Sequence, residues 1–225
     1  MIQIRFPDGA VREYHDGSSS MDIAKSISEG LARKVLAAKV NGQVWDASRV
    51  ITEDATLQLI TWDDAEGKNT FWHSSAHLMA EAVEALYPGV KFWVGPALDR
   101  GFYYDMDLGG RQMTDEDLIQ IEKKMNELAK QNNPYIRKGI SKGDAIQYFE
   151  EKGDEYKLDL LQGLNDGDIS FYTQGAFTDL CRGPHIPATG SIKAIKLTSI
   201  SGAYWKGDEK NKMLTRVYGL SLIHI

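Results

Sequence analysis

The chain has 225 residues, a formal net charge of −6, 42% apolar residues and 26% charged ones. That length buries a core in one large domain or two small ones, and the acidic balance excludes a global basic field that would draw the chain to nucleic acid. The single cysteine rules out an internal disulfide and fits a reducing compartment, so the cytoplasm is the expected location. No run approaches the roughly 20 apolar residues of a membrane helix, and the N-terminus lacks the basic and apolar blocks of a signal peptide.

Residues 1–62 read as a small α+β unit. Ile2, Ile4 and Phe6 alternate with polar residues, the period of a half-buried strand. Asp8-Gly9 is a hairpin turn signal, after which Val11–Tyr14 resumes the strand. Ser20 is the expected N-cap of a helix carrying Ile23 and Ile27 on one face, and Gly30 its expected stop. Strands follow at Val35–Val40, at Gln43–Trp45 beyond the Asn41-Gly42 turn, and at Leu57–Ile60. This order suits a small sheet wrapped around one helix. The polar stretch Asp63–Lys68 marks the expected domain boundary.

The second unit opens with an expected helix from about Thr70 to Tyr87, closed by Pro88-Gly89, with Met79, Val83 and Leu86 facing the core. Strand-like segments lie at Val90–Val94 and Gly101–Met106. Thr114 caps a long helix to about Gln131, with acidic residues in its first turn. Ile136–Ile140 reads as a strand, Ser141 to Gly153 as a helix, and Tyr156–Leu161 as a short helix. The remainder is β-rich, at Ile169–Thr173, Phe177–Leu180, Ile192–Thr198 and Met213–Tyr218. The glycine-punctuated stretch Ser201–Asp208 reads either as a hairpin with a packing tryptophan or as a loop that approaches a ligand.

Two donor pairs carry the chemistry: His73-Ser-Ser-Ala-His77 and Cys181-Arg-Gly-Pro-His185. Residues four apart on a helix project from one face, so His73 and His77 can serve one site. With Cys181 and His185 they allow a tetrahedral zinc site or a metal-free site in which a histidine acts as base. Cys181 reads as a buried small hydrophobe, or as a nucleophile or ligand activated by Arg182 or His185. Asp179 would share a strand face with Cys181 and could orient a histidine or anchor an amino group, or it reads as a solvated loop acid. Tyr103, Tyr104 and Asp105 read as core or cross-strand packing, or as a run that stacks on a nucleobase or closes a pocket. Neither a phosphate loop nor a dinucleotide fingerprint occurs, which argues against ATP or NAD chemistry in these residues.

Taken together these segments resemble the N-terminal part of bacterial-type threonyl-tRNA synthetases. Phe6-Pro7-Asp8-Gly9, Ala38–Gly42 and Asp54–Leu57 resemble the family's TGS domain, a ubiquitin-like β-grasp module. His73–Leu78, Gly101–Asp105, Asp179–His185 and Gly202–Asp208 resemble its editing domain, which is shared in outline with alanyl-tRNA synthetases. The resemblance implies an α+β chain with a TGS-like domain at 1–62, a class II synthetase editing domain at 63–219, and a tail at 220–225 that is foreign to the family and reads as a truncation or assembly scar; His224 within it is set aside. It implies hydrolysis of seryl-tRNA(Thr), with the tRNA(Thr) acceptor end as partner and no membrane. His73, His77, Lys157, Cys181 and His185 would be catalytic, and Tyr104 and Asp179 would bind substrate. Zinc is not expected to be obligatory here, although the alanyl relatives hold it with the same donor pattern. ATP, magnesium and zinc are expected only in a catalytic domain that these residues lack, so this chain would not charge tRNA. A monomeric fragment of a homodimeric parent is expected.

Overall fold

The first strand, β1 (Ile2–Arg5), sits between two neighbours of opposite sense. It pairs antiparallel with β2 (Val11–Tyr14), Ile2 opposite Tyr14, and parallel with β5 (Ala55–Ile60), Ile4 opposite Ala55. Strands β3 (Ala37–Val40) and β4 (Gln43–Trp45) complete a five-stranded sheet of order β2-β1-β5-β3-β4. The alternation of Ile2 and Ile4 puts both into a core with Ile23, Ala38, Val40, Ile51 and Leu57. Ile23 comes from helix α1 (Ser20–Ile27), so one helix lies over the sheet in a β-grasp arrangement. The structure is a computed structural model and describes residues 1–223.

Helix ends in this unit differ from expectation by a residue or two, for local reasons. The N-cap of α1 is Ser19, not Ser20, because Asp22 stands three residues after Ser19 and closes a reciprocal capping box with it. Ser28 ends α1 and caps α2 (Glu29–Ala32) by accepting the Leu31 N–H at 3.0 Å, which places Gly30 inside the second helix. The polar stretch Asp63–Lys68 is mostly helical. Asp64 accepts the Thr61 N–H at 2.8 Å, and α3 runs from Ala65 to Leu86. Glu66 in its first turn pairs with Lys39 of β3 at 2.6 Å.

By its internal contacts the chain separates into two units. One comprises Met1–Phe71 with Gly183–Pro187, and the other Trp72–Arg182 with the chain from Ala188 onward. The division falls inside α3.

The second unit holds two antiparallel sheets. Strands β8 (Ile136–Gly139), β9 (Ser170–Gln174) and β10 (Phe177–Leu180) form a sheet of order β10-β9-β8. Strands β6 (Lys91–Phe92), β7 (Phe102–Asp107), β11 (Ala194–Tyr204) and β12 (Met213–Leu222) form the other, in order β11-β12-β7-β6. Helix α4 (Asp115–Lys130) starts at Thr114 with the expected capping box and lies against β11, where Glu122 Oε1 accepts the Leu197 N–H at 2.7 Å. Helices α5 (Lys142–Lys152) and α6 (Glu155–Gln162) pack Ala145, Phe149 and Leu161 against Ile169 and Phe171.

On α3, Met79 and Val83 are buried as their spacing predicts, whereas Leu86 in the last turn is exposed. Leu220–Leu222, expected as part of a foreign tail, continue β12, with Leu222 opposite Ala194; His224 and Ile225 lie outside the described residues. Ser201–Tyr204 complete β11, and Trp205–Gly207 form a 3-10 turn in which the Trp205 ring meets Tyr156 edge-on at 5.1 Å. The stretch is thus a hairpin end with a packing tryptophan. No helix among the described residues is long and apolar enough to cross a membrane.

Phe149 is the more deeply buried of the two phenylalanines in its cluster. Phe149→Ala should destabilise the second unit by about 3–5 kcal/mol through lost transfer energy and the cavity left behind. Urea denaturation followed by tryptophan fluorescence measures this, and a loss below about 1 kcal/mol would show that the site collapses around the gap.

Candidate active site

Helix α3 presents its functional groups from a stretch in which Ser74, Ser75, Ala76, Ala80 and Ala82 are fully buried. Such small side chains let neighbouring backbone approach closely. Side-chain hydrogen bonds fix the helix at several levels. Trp72 Nε1 donates to Ser221 O at 3.0 Å, Tyr135 OH to Ser74 O at 2.7 Å, and Gln174 Nε2 to His77 O at 3.0 Å. Glu81, one turn beyond His77, accepts the Ala176 N–H at 3.2 Å and so holds the β9–β10 turn to the helix.

His73 and His77 lie one turn apart with ring centroids 5.0 Å from each other. His73 Nδ1 is 3.1 Å from Gly95 O, and its Nε2 is 3.0 Å from Cys181 Sγ. Cys181 follows β10 and prolongs its pairing with β9: its N–H donates to Ser170 O at 3.1 Å, and Ser170 Oγ donates to Cys181 O at 2.6 Å. Donor atoms of His73, His77 and Cys181 lie within 4.8 Å of one another. That is close enough for the three to close on a tetrahedral ion after small adjustments, while the 3.0 Å contact between His73 and Cys181 is a hydrogen-bond distance.

Beside them is a buried ion pair. Lys157 Nζ is 2.7 Å from Asp179 Oδ1, with side chains 2% and 4% exposed. Lys157 sits in the first turn of α6, whose N-cap Asp154 accepts its N–H at 3.2 Å. Its ammonium also donates to Trp93 O at 2.9 Å and meets Tyr104 OH at 3.4 Å, so all three of its donors have acceptors. Tyr104 donates to Asp179 Oδ2, and the Leu180 N–H donates to Oδ1 at 2.8 Å. Burial raises the Asp179 carboxyl, but Lys157, His77 and the Tyr104 hydrogen bond together outweigh it and the net shift is downward, so the group is ionised at neutral pH. Burial, reinforced by the Asp179 charge, raises the Tyr104 phenol well above its ordinary value. Burial lowers His77 to about 3, with His73 adding to the shift, so this imidazole is neutral at pH 7.

Six of the residues singled out in the sequence therefore lie together in the second unit: His73, His77, Tyr104, Lys157, Asp179 and Cys181. His185 belongs to the segment grouped with the first unit, where it is buried and its N–H donates to Asp46 Oδ1 at 2.8 Å. The strand pleat divides the Tyr103–Asp105 run. Tyr104 faces the ion pair, whereas Asp105 takes a two-pronged bond from Arg216 at 2.6 and 2.8 Å, and Arg216 stacks over Tyr103 at 4.0 Å. Sequence reasoning missed Trp93, Gly95, Ser170 and Gln174. Trp93 and Gly95 act through backbone carbonyls, which every residue has, so nothing in their identity pointed to them.

Residues 2–61 match the TGS domain family, and residues 169–218 match the family described as threonyl and alanyl tRNA synthetase second additional domain. The chain is thus similar to proteins of aminoacyl-tRNA synthetase type. It is 68% identical over 221 residues to a threonine–tRNA ligase of Cytophaga hutchinsonii, 61% over 222 to one of Porphyromonas gingivalis, and 55% over 221 to one of Bacteroides thetaiotaomicron. Each match takes in 98% of this chain and 34% of the relative. The chain thus matches a TGS domain and a second additional domain, and it spans about a third of the length of the threonine–tRNA ligases it is similar to.

The depressed His77 value has a consequence for stability. The unfolded imidazole takes up a proton below about pH 6.5, whereas the folded one resists protonation down to about 3. Stability therefore falls as the pH drops through that window, by up to about 1.4 kcal/mol per pH unit. His77→Asn should flatten the dependence of unfolding free energy on pH between 6.5 and 4; an unchanged slope would assign it to other groups.

Proposed function

We propose that the second unit is an editing esterase that hydrolyses seryl-tRNA(Thr), and that the whole protein attaches threonine to tRNA(Thr) using ATP. The observation that carries the first part is the buried Lys157–Asp179 pair standing beside the His73–Cys181 hydrogen bond. A base, a cation and an anion held within one fold supply what ester hydrolysis on an amino acid needs: a positioned water, a counter-charge for the developing oxyanion, and an anchor for an ammonium group. The need for the step is energetic. A synthetic site shaped for threonine rejects serine only by a missing methyl, worth about 1–3 kcal/mol, so a second site must destroy the wrong product.

In this reading a hydrolytic water lies between His73 and Lys157, Asp179 receives the seryl ammonium, and Tyr104 positions the ester. His77, neutral at pH 7, and Cys181 complete the pocket. Because the Lys157 ammonium has three acceptors at rest, the longest of these contacts, 3.4 Å to Tyr104 OH, is the one that substrate or water replaces. Should zinc be taken up, His73, His77 and Cys181 would hold it from the second unit, and it would polarise the ester carbonyl. We propose that hydrolysis does not require it, and elemental analysis of the active chain tests this. ATP, magnesium and a further zinc belong to the parent's synthetic reaction, and tRNA(Thr) is the proposed partner of both domains.

The purified chain should deacylate seryl-tRNA(Thr) and spare threonyl-tRNA(Thr). His73→Ala and Lys157→Met should each lower that rate by about 10²–10⁴-fold with circular dichroism unchanged. No turnover above background would leave a module that only grips the acceptor arm. Unfolding of the His73→Ala/His77→Ala variant would make the donors structural.

A further inference from the structure

The extended segment between β6 and β7 runs beside β7. Trp93 donates its N–H to Asp105 O at 2.9 Å, Asp105 donates to Val94 O at 3.0 Å, and Tyr103 donates to Pro96 O at 3.3 Å. The carbonyls of Val94 and Pro96 thus face β7. In extended backbone alternate carbonyls point opposite ways, so those of Trp93 and Gly95 face away from it. Trp93 O receives the Lys157 ammonium at 2.9 Å, and Gly95 O meets His73 Nδ1 at 3.1 Å.

We infer that Gly95 is a positioning residue for His73: its carbonyl holds the imidazole as the Nδ1–H tautomer, so that Nε2 is the lone-pair atom presented to Cys181 and to the site. A carbonyl oxygen has no proton to give, so the ring nitrogen facing it must carry one. In the neutral ring Nε2 is then bare, and Cys181, 3.0 Å away, is the donor in that bond, a thiol rather than a thiolate. The same tautomer offers Nε2 to a water or to a metal ion alike. Only glycine fits this role. A Cβ on Gly95 would lie 2.3 Å from Tyr104 Cδ2 and 2.4 Å from Cε2, so any side chain must displace either the carbonyl or the tyrosine ring. A single segment thereby sets the orientation of both groups between which the water is proposed to lie.

This inference deepens the editing reading and rests on it only for its chemical use, because the tautomer is measured without substrate. The test is nitrogen-15 NMR of the ring-labelled chain at pH 7.5, with His73 assigned by its loss in His73→Gln. The expected result is a protonated-type shift at Nδ1 and a bare-type shift at Nε2. An Nε2–H tautomer, or a doubly protonated ring paired with a thiolate, would overturn the inference. Gly95→Ala should bring in the Nε2–H form and lower kcat for deacylation by about 10²-fold with KM little changed, as a misplacement of about 1 Å does. Pairing it with Tyr104→Leu, which makes room for the Cβ, should restore the Nδ1–H signal. A Gly95→Ala chain with an unmixed Nδ1–H ring and undiminished kcat would refute the positioning role, and the wild-type spectrum decides the tautomer even if neither variant folds.

Discussion

The ion pair between Lys157 and Asp179 is the constraint on which the second unit turns. Two charges taken almost wholly out of water are costly unless attraction and hydrogen bonds offset the loss. Here the side chains and the carbonyl that meet come from different elements. Lysine arrives on α6 and aspartate on β10, Tyr104 reaches in from β7, and Trp93 supplies a carbonyl from the segment before it. Breaking a buried pair by removing one member typically costs about 3–5 kcal/mol, so these four elements are tied to one arrangement. That arrangement belongs to the site.

The histidines use a different device. Helix α3 carries buried serines and alanines through the stretch that bears His73 and His77, and its carbonyls at Ser74 and His77 accept side-chain donors from Tyr135 and Gln174. The imidazoles therefore stand on a rigid support, and their chemistry is set by what meets them. Burial keeps His77 neutral, while the Gly95 carbonyl and the Cys181 thiol occupy the two nitrogens of His73. Identical side chains one turn apart thus acquire different roles from their surroundings.

Much of the architecture was legible because it rests on local rules. Alternating Ile2 and Ile4, the Thr114 capping box and the helix ending at Gly153 all appear where the pattern puts them. Misplaced boundaries had local causes too: Asp22 completes a capping box with Ser19 rather than Ser20, and the polar Asp63–Lys68 stretch is compatible with the first turn of a helix. Leu86 shares the spacing of Met79 and Val83 but lies in the terminal turn, where the exposure differs. Periodicity reports which face is apolar and is silent on where the cover stops.

The sequence by itself picked out the candidate side chains: two histidines one turn apart and a single thiol, types scarce enough to stand out, with an aspartate two residues before the thiol. It also carries the likeness to threonine–tRNA ligases, through motifs that survive as residue identities. Only the tertiary structure decided the states of those groups. Lys157 and Asp179 are 22 residues apart in the numbering, and their pairing depends on how α6 meets β10. The environment of His73 depends on a backbone oxygen at Gly95. Protonation, tautomer and solvation are properties of surroundings, and surroundings are assembled from distant segments whose approach no local pattern encodes.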